Sequence, residues 1–339
     1  MNERIVILGG GYGGAMAAAR LARRGVHVTL IDAGDGLVER IRQHQMLAGD
    51  DIPPVMFPRL FRRLPVEVRR ARVIALDRAH QRVLTSDGEV PYDKLVYALG
   101  SRIAPPAPAL SLADPSTGER IARARSVSIV GAGLTGIETA AELAERRPDL
   151  AITLIDAGTI GRDLSAGARD TLRRWLVEHR VRLVENRRVE SVDDEVVLWC
   201  ASFAVSPIAR DAGLRVNARG QILVDDQLRS SDPNVYAVGD AAEWRGRRMS
   251  CAIALPMGAY VGDLLSGATS EPFQFGFVIR CISLGRVAGL VQFVHADDTP
   301  KEKFLSGRPA AWIKELICRY TVMSIRMEAR GLHGLRQAA

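Results

Sequence analysis

A glycine turn that occurs twice constrains the fold of this 339-residue chain more than any other feature. The apolar run 5–8 leads into Gly9, Gly11 and Gly14, spaced as G-x-G-x-x-G, and an alanine-rich stretch follows. A strand, this spacing and a helix form a dinucleotide-binding turn. The first glycine makes the turn, the second admits a pyrophosphate, and the third lets the helix pack on the strand. A second strand ends at Asp32, where a carboxylate can bind a ribose hydroxyl.

The same pattern returns in the middle of the chain. Residues 127–130 are predicted to form a strand, followed by Gly131, Gly133 and Gly136, a helical stretch and a strand that ends at Asp156. The two copies agree apart from two extra residues in the second copy. This self-similarity predicts an α/β fold with two Rossmann-like dinucleotide-binding domains.

The stretches around the two motifs suggest the domain boundaries. Residues 66–100 are predicted to form a β-meander with strands 68–76, 82–85 and 94–98, and residues 50–58 are predicted to form a loop. A proline-rich linker at 105–108 marks a boundary, and Pro256 is predicted to start a helix. The resulting division is a first domain in two parts (1–115 and 206–295), an inserted second domain (121–205) and a C-terminal segment (296–339).

Composition argues against several classes of protein. The net charge is +7, but only four of the 46 basic residues are lysines, and the arginines are scattered while aromatic residues make up 5%, so no nucleic-acid partner is expected. The four cysteines form no C-x-x-C pair, so no metal site or dithiol motif is expected. The first strand begins at Arg4 and no apolar run is long enough to span a membrane, which favours a cytoplasmic protein.

Further motifs resemble a known family. Besides the two glycine turns, the chain carries Tyr-Ala-Leu-Gly at 97–100, Val-Tyr-Ala-Val-Gly-Asp at 235–240, Gly-Leu-Thr-Gly-Ile-Glu at 133–138, Leu-Trp-Cys-Ala-Ser at 198–202 and Ser-Leu-Gly-Arg at 283–286. These resemble the two-dinucleotide flavoprotein oxidoreductases, and most closely the type II NADH dehydrogenases, which are single-subunit, non-pumping NADH:quinone oxidoreductases. The resemblance covers about residues 4 to 290.

The resemblance implies which residues bind each cofactor. The first domain would hold FAD, and the inserted domain would hold NAD(P)H. The implied FAD residues are Gly9, Gly11, Gly14, Asp32, Gly100, Gly239 and Asp240, and the implied NAD residues are Gly131, Gly133, Gly136 and Asp156. Because Asp156 would repel a 2′-phosphate, NADH is expected to be preferred over NADPH.

The chain departs from the family in three places. The disulfide-reductase branch has paired cysteines at the start of a helix in the first domain, and this chain has none there, which excludes that branch. Ser-Cys-Ala at 250–252 stands where the family usually has an Ala-Gln pair that lines the quinone site. The second domain also lacks the long meander that the first domain carries.

Three residues are candidates for the chemistry, and each has a structural alternative. Glu138 would lie near nicotinamide and flavin, or it is simply a first-turn glutamate favoured by the helix dipole. His44 would line the flavin pocket or donate a proton, or it is a solvated surface side chain. Cys251 would face the flavin, or it is a small buried hydrophobic residue.

Three functions remain open from the sequence. The first is an NADH-dependent flavoenzyme that passes electrons to a quinone or similar acceptor. The second is a specialised FAD-dependent oxidoreductase acting on a small organic substrate in a biosynthetic pathway. The third is a non-catalytic, redox-sensing flavoprotein.

The C-terminal segment combines basic charge with an apolar stripe. Residues 301–339 hold eight basic side chains against three acidic ones. Apolar residues follow one another at helical spacing, namely Trp312, Ile313, Leu316, Ile317, Tyr320 and Met323. Such a stripe either packs on the body or on a second subunit of a homodimer, or lies on an anionic membrane surface at the inner face of the cell membrane.

Overall fold

The computed structural model describes residues 3–189 and 194–332. The helices in these ranges are α1 (Tyr12–Arg23), α2 (Gln43–Leu47), α3 (Phe57–Leu60), α4 (Thr117–Arg123), α5 (Leu134–Arg146), α6 (Ala166–Glu178), α7 (Ile208–Asp211), α8 (Cys251–Leu265) and α9 (Arg308–Ala329). Short 3₁₀ turns cover Arg40–Arg42 and Gly239–Ala241.

The strands fall into several sheets. They are β1 (Ile5–Leu8), β2 (Val28–Asp32), β3 (Gly36–Leu37), β4 (Val55–Met56), β5 (Val66–Arg70), β6 (Val73–Asp77), β7 (Arg82–Thr85), β8 (Gly88–Pro91), β9 (Lys94–Tyr97), β10 (Ser101–Ile103), β11 (Ser126–Val130), β12 (Ala151–Ile155), β13 (Arg182–Val184), β14 (Val196–Trp199), β15 (Phe203–Val205), β16 (Ile222–Leu223), β17 (Val235–Ala237), β18 (Ala242–Glu243), β19 (Ile279–Leu284), β20 (Ala288–Val294) and β21 (Pro300–Ser306).

A five-stranded parallel sheet forms the first dinucleotide-binding unit. Its order is β17-β9-β1-β2-β5. Strand β1 therefore lies in the middle and pairs with β2 on one side and β9 on the other. All four residues of β1 are buried, as expected for a parallel strand covered on both faces. The predicted α/β class is therefore confirmed.

A four-stranded parallel sheet forms the second unit. Its order is β13-β12-β11-β14, and β11 and β12 correspond to β1 and β2 of the first unit. The chain enters and leaves this unit through β10 and β15, which pair with each other in antiparallel fashion. We propose that the boundaries between the first and second domains lie at these two strands.

The predicted meander is wrong in its outer strands. The predicted strand 68–76 is two strands, because β5 joins the parallel sheet and β6 begins a separate antiparallel sheet with β7 and β8. Between them the Ala71 N–H donates to the Asp32 carbonyl at 2.8 Å, which ends the pairing with β2. The predicted strand 94–98 is β9, which pairs with β1 rather than with the meander. The predicted loop 50–58 contains β4, which pairs with β3.

Pro256 does not start a helix, contrary to the prediction. It lies inside α8, which begins five residues earlier at Cys251. A helix can tolerate an interior proline when packing stabilises it. Here α8 crosses α1 closely, since a Cβ on Gly258 would lie 2.1 Å from the Gly13 carbonyl oxygen.

A third unit follows the parallel sheets. Strands β19, β20 and β21 form an antiparallel sheet, and α9 packs on it. The predicted boundary at 295/296 falls inside the β20–β21 hairpin, so we propose that this unit begins at Ile279 instead.

Helix α9 has a buried face and an exposed face. Cys318, Val322 and Ile325 are buried, and at the end of the helix the buried Glu328 carboxylate pairs with Arg20 and Arg23 of α1 at 2.9 and 3.0 Å. On the opposite side Trp312 is 68% exposed, and Leu316, Tyr320 and Met323 are also exposed. Packing on the body therefore accounts for only part of the apolar stripe. Among the described residues, none of the helices has the length and apolarity needed to cross a membrane.

Candidate functional site

The two glycine turns have the same geometry. Gly9 and Gly131 have φ angles of +93° and +101°, which an L side chain rarely adopts. A Cβ on Gly14 would lie 1.9 Å from the Gly9 carbonyl oxygen, and a Cβ on Gly136 would lie 1.8 Å from the Gly131 carbonyl oxygen. The first and third glycines are therefore required by the fold itself.

The packing of the fold does not require the middle glycine of either turn. A Cβ on Gly11 or Gly133 would meet no atom within 4 Å. Both residues are helix N-caps without a side-chain cap, and neither α1 nor α5 has an acidic residue in its first turn. Open space in front of free backbone N–H groups at a helix N-terminus suits a phosphate group. Both turns therefore fit the pyrophosphate of a dinucleotide.

The strand-end aspartates are equivalent in the two units. Asp32 accepts hydrogen bonds from the N–H groups of Gly10 and Gly34 at 2.6 and 2.7 Å. Asp156 accepts hydrogen bonds from Ala132 and Gly158 at 2.7 and 2.8 Å. Each carboxylate is held beside its glycine turn and keeps lone pairs for a ribose hydroxyl.

Gly100 and Asp240 meet at one corner of the first unit, because β9 and β17 are neighbours in the sheet. The Ser101 hydroxyl donates to Asp240 Oδ2 at 2.6 Å. Arg40, which sequence analysis missed, donates from Nη1 to the Ser101 carbonyl at 2.7 Å. This arginine adds a positive charge beside the corner, which suits an anionic cofactor. No sequence motif marks it.

Glu138 is the centre of a buried charge cluster. Its carboxylate accepts a hydrogen bond from the Ser283 N–H at 2.9 Å and pairs with the Lys314 ammonium at 2.8 Å. His44 Nδ1 lies 3.9 Å from the same carboxylate. Two of the three predicted chemical residues are thus brought together. Lys314 was missed because it lies far along the chain, in a helix whose pattern shows only its apolar stripe.

Burial and mutual charge set the protonation of this cluster. Burial lowers the pKa of His44 to about 4, although the Glu138 charge opposes that shift. Burial alone would raise the pKa of Glu138, but the charges of Lys314 and His44 bring it below its ordinary value. Burial alone would also lower the pKa of Lys314, and the Glu138 charge raises it overall. At neutral pH the cluster is therefore an ion pair beside a neutral imidazole.

Cys251 is the first residue of α8, whose N-cap Ser250 makes no capping hydrogen bond. Burial raises the pKa of the Cys251 thiol, so it is neutral at pH 7. Within the described part of the chain, the buried Ser250 hydroxyl and His44 Nε2 have no hydrogen-bond partner. Buried polar atoms without partners are rare in proteins. These two fit a site whose remaining partner is a bound cofactor or substrate.

The chain matches known proteins over most of its length. The family described as pyridine nucleotide-disulphide oxidoreductase matches residues 3–258. An NADH dehydrogenase-like protein of Mycobacterium tuberculosis is 28% identical, covering 93% of this chain and 92% of that protein. The ferroptosis suppressor protein 1 of Taeniopygia guttata is 24% identical, covering 86% of this chain and 88% of that protein.

A solved structure has the same fold. The sulfide:quinone oxidoreductase from Aquifex aeolicus superposes with a TM-score of 0.79 over 96% of this chain and 92% of that chain, at 15% identity. The resemblance drawn from the sequence motifs is confirmed by these matches. The chain belongs to the pyridine nucleotide-disulphide oxidoreductase family and is a flavoprotein oxidoreductase that uses FAD and NAD(P)H.

Proposed function

We propose that this enzyme takes hydride from NADH onto FAD and passes the electrons to a quinone or a similar small acceptor. The observation that carries the proposal is the buried cluster of Glu138, Lys314 and His44. The first cysteine of the chain is Cys200, so the first part of the FAD domain (1–115) has no thiol pair that could relay electrons to a disulfide substrate. A neutral acceptor that takes protons as well as electrons matches this site best.

Each part of the site has a proposed task. The first glycine turn, Asp32, Gly100 and the Gly239–Asp240 pair would hold FAD, and the second glycine turn with Asp156 would hold the nicotinamide nucleotide. FAD, when bound, supplies the hydride chemistry. The N-terminus of α8 at Cys251 would stabilise negative charge on the reduced cofactor. Glu138 and Lys314 would orient the reacting groups, and His44 Nε2 would exchange a proton with the acceptor.

We propose that the acceptor enters through a groove beside α9. Its volume is about 320 Å³, and it is lined by three apolar and five charged residues, namely Ile52, Val322, Met323, Glu39, Arg42, Glu315, Arg319 and Arg326. Arg42 and Glu315 form an ion pair with two hydrogen bonds of 2.9 Å each. Glu315 is the residue next to Lys314 in the sequence. A mixed apolar and polar lining suits a ring with carbonyl groups.

Cys251 affects how well a quinone would bind. A thiol is a poor hydrogen-bond partner compared with the glutamine that the resemblance leads one to expect. Losing one hydrogen bond costs about 0.5–1.5 kcal/mol, which is a few-fold to about tenfold in affinity. Binding should therefore be weakened without being lost.

The direct test is an anaerobic two-step experiment. NADH should bleach the flavin, and a soluble quinone should restore its colour, with weak discrimination among ring substituents. Cys251→Gln should lower the quinone concentration needed for half-maximal reoxidation by a few-fold, while Cys200→Ser, at a buried thiol away from α8, should leave that concentration unchanged. If no quinone reoxidises the flavin, the dedicated-substrate function replaces this proposal.

We also propose that NADH is preferred over NADPH. Asp156 is placed to accept a bond from the 2′-hydroxyl, and its charge opposes a 2′-phosphate. Arg162 lies near this carboxylate, with its Nη1 3.8 Å from Asp156 Oδ1, so its positive charge partly offsets the repulsion of a 2′-phosphate. Because the Arg162 side chain is 62% exposed, solvent screens that charge.

Comparing kcat/KM for the two nucleotides tests the preference. NADH should be favoured by about tenfold or more, the size expected for losing a hydrogen bond to a charged group. Asp156→Ala should lower the ratio of kcat/KM for NADH to kcat/KM for NADPH. Asp149 is a surface acid nearby in the sequence, and Asp149→Asn should leave this ratio unchanged. An enzyme that prefers NADPH would contradict the assignment.

The exposed face of α9 supports a third proposal, contact with an anionic membrane surface. Trp312, Leu316, Tyr320 and Met323 form an exposed apolar row along the helix. Basic side chains flank the row, namely Arg308, Arg319, Arg326 and Arg330, all exposed. An apolar row beside basic charge suits binding at the lipid headgroup region.

Vesicle flotation tests this contact. The protein should float with vesicles containing anionic lipid and remain unbound with neutral ones, and high salt should weaken binding. The double variant Trp312→Ser, Leu316→Ser should lose flotation. Val177→Ser, which removes an exposed apolar side chain from α6, should retain it. Failure of the wild type to float with either vesicle would refute the membrane proposal.

A further inference from the structure

Glu142 is a buried acid that the proposed chemistry does not use. It lies one helical turn after Glu138, on the same side of α5. Its side chain is 0% exposed, and within the described residues neither carboxyl oxygen has a hydrogen-bond partner. The nearest cations, Arg146 and Arg286, lie 3.8 and 3.9 Å from Oε1, beyond hydrogen-bond distance. Burying a carboxyl group without hydrogen-bond partners costs free energy of folding, and such groups are rare in proteins.

Glu142 has partly exposed arginines as neighbours and shares a face of α5 with Glu138. On its outer side, Asp50 pairs with Arg146 and with Arg286, the latter at 3.4 Å, and all three side chains are partly exposed. On its inner side, helix α2 packs against α5 and brings His44 to Glu138. Asp50 is thus linked to Glu142 through the two arginines near both, and Glu138, which lies beside His44, is one helical turn from Glu142 on α5.

Charges from several elements act on Glu142. Burial raises its pKa to about 7, and Arg286 and Arg146 oppose this shift while Glu145 and Asp50 add to it. These groups belong to α5, to the β19–β20 turn and to the segment after α2. At neutral pH, Glu142 can therefore both hold and release a proton, whereas Glu138 stays ionised beside Lys314.

We propose that Glu142 is the proton store for reduction of the acceptor, passing a proton inward through Glu138 and His44 and taking one back from water at the Asp50–Arg286 edge. The inference rests on the proposed function. A quinone needs two electrons and two protons to become a hydroquinone. A hydride brings both electrons and one proton, so one further proton must reach the second oxygen. Glu142 supplies it and is left as a carboxylate until solvent protonates it again.

The first test observes the carboxyl group itself. Infrared spectra of the purified protein between pH 5 and 9 should show the C=O band of a protonated carboxylic acid that disappears with a midpoint near neutral pH. Glu142→Gln should remove this band. Glu178→Gln, at an exposed glutamate at the end of α6, should leave it unchanged. If Glu142→Gln leaves the band in place, the proposal is wrong.

The second test separates proton transfer from electron transfer. In Glu142→Gln, reduction of the flavin by NADH should keep its rate, and reoxidation by a soluble quinone should slow by about tenfold or more. Reoxidation by ferricyanide, which takes electrons without protons, should be unchanged. In the wild type, the rate with quinone should fall as pH rises through about 7, because the neutral acid is lost, and this fall should be absent in Glu142→Gln.

The outcomes distinguish the relay from the function. Equal slowing with quinone and ferricyanide would indicate a structural role and overturn the relay. An unchanged pH profile in Glu142→Gln would also overturn it. If quinone fails to reoxidise the wild type, the proposed function falls and the relay falls with it, while the infrared titration still reports whether Glu142 holds its proton.

Discussion

The ion pair between Glu138 and Lys314 is the interaction on which the site depends. Two opposite charges in a buried place cost several kcal/mol to desolvate unless they are well paired and hydrogen-bonded. Here the Ser283 N–H supplies an additional bond to the carboxylate. The pair therefore requires α5 of the second unit to meet β19 and α9 of the third unit at one point. That point is also where His44 arrives from the first unit.

The molecule has two functional parts, the glycine turns and the charge cluster, and different interactions form each of them. The glycine turns are built from backbone geometry, because Gly9, Gly14 and their counterparts occupy conformations or spaces that no other residue fits. The charge cluster depends on side chains brought together over long sequence distances. We propose that the first part holds the two dinucleotides. The second part adjoins α9, whose outer face is apolar and basic.

The local features of this fold follow from the sequence, whereas the contacts between distant residues do not. Both glycine motifs and their aspartates follow from short patterns whose physics is contained within each segment. The strand predicted at 68–76 was wrong because a β-type pattern does not reveal which sheet a strand joins. Pro256 was misplaced because packing against α1 outweighs its local preference. Lys314, Arg40 and Glu142 carry no motif, since their roles arise only from neighbours in the folded chain.

A double-mutant cycle on the central ion pair tests this account most directly. Lys314→Met leaves the Glu138 carboxylate buried without its cation, and the expected loss in the free energy of unfolding is about 3–5 kcal/mol. Adding Glu138→Gln removes the stranded charge, so the double variant should be more stable than Lys314→Met alone. If instead the two substitutions destabilise the protein additively, the pair is not coupled in the folded protein, and the proposed organisation of the site around it is wrong.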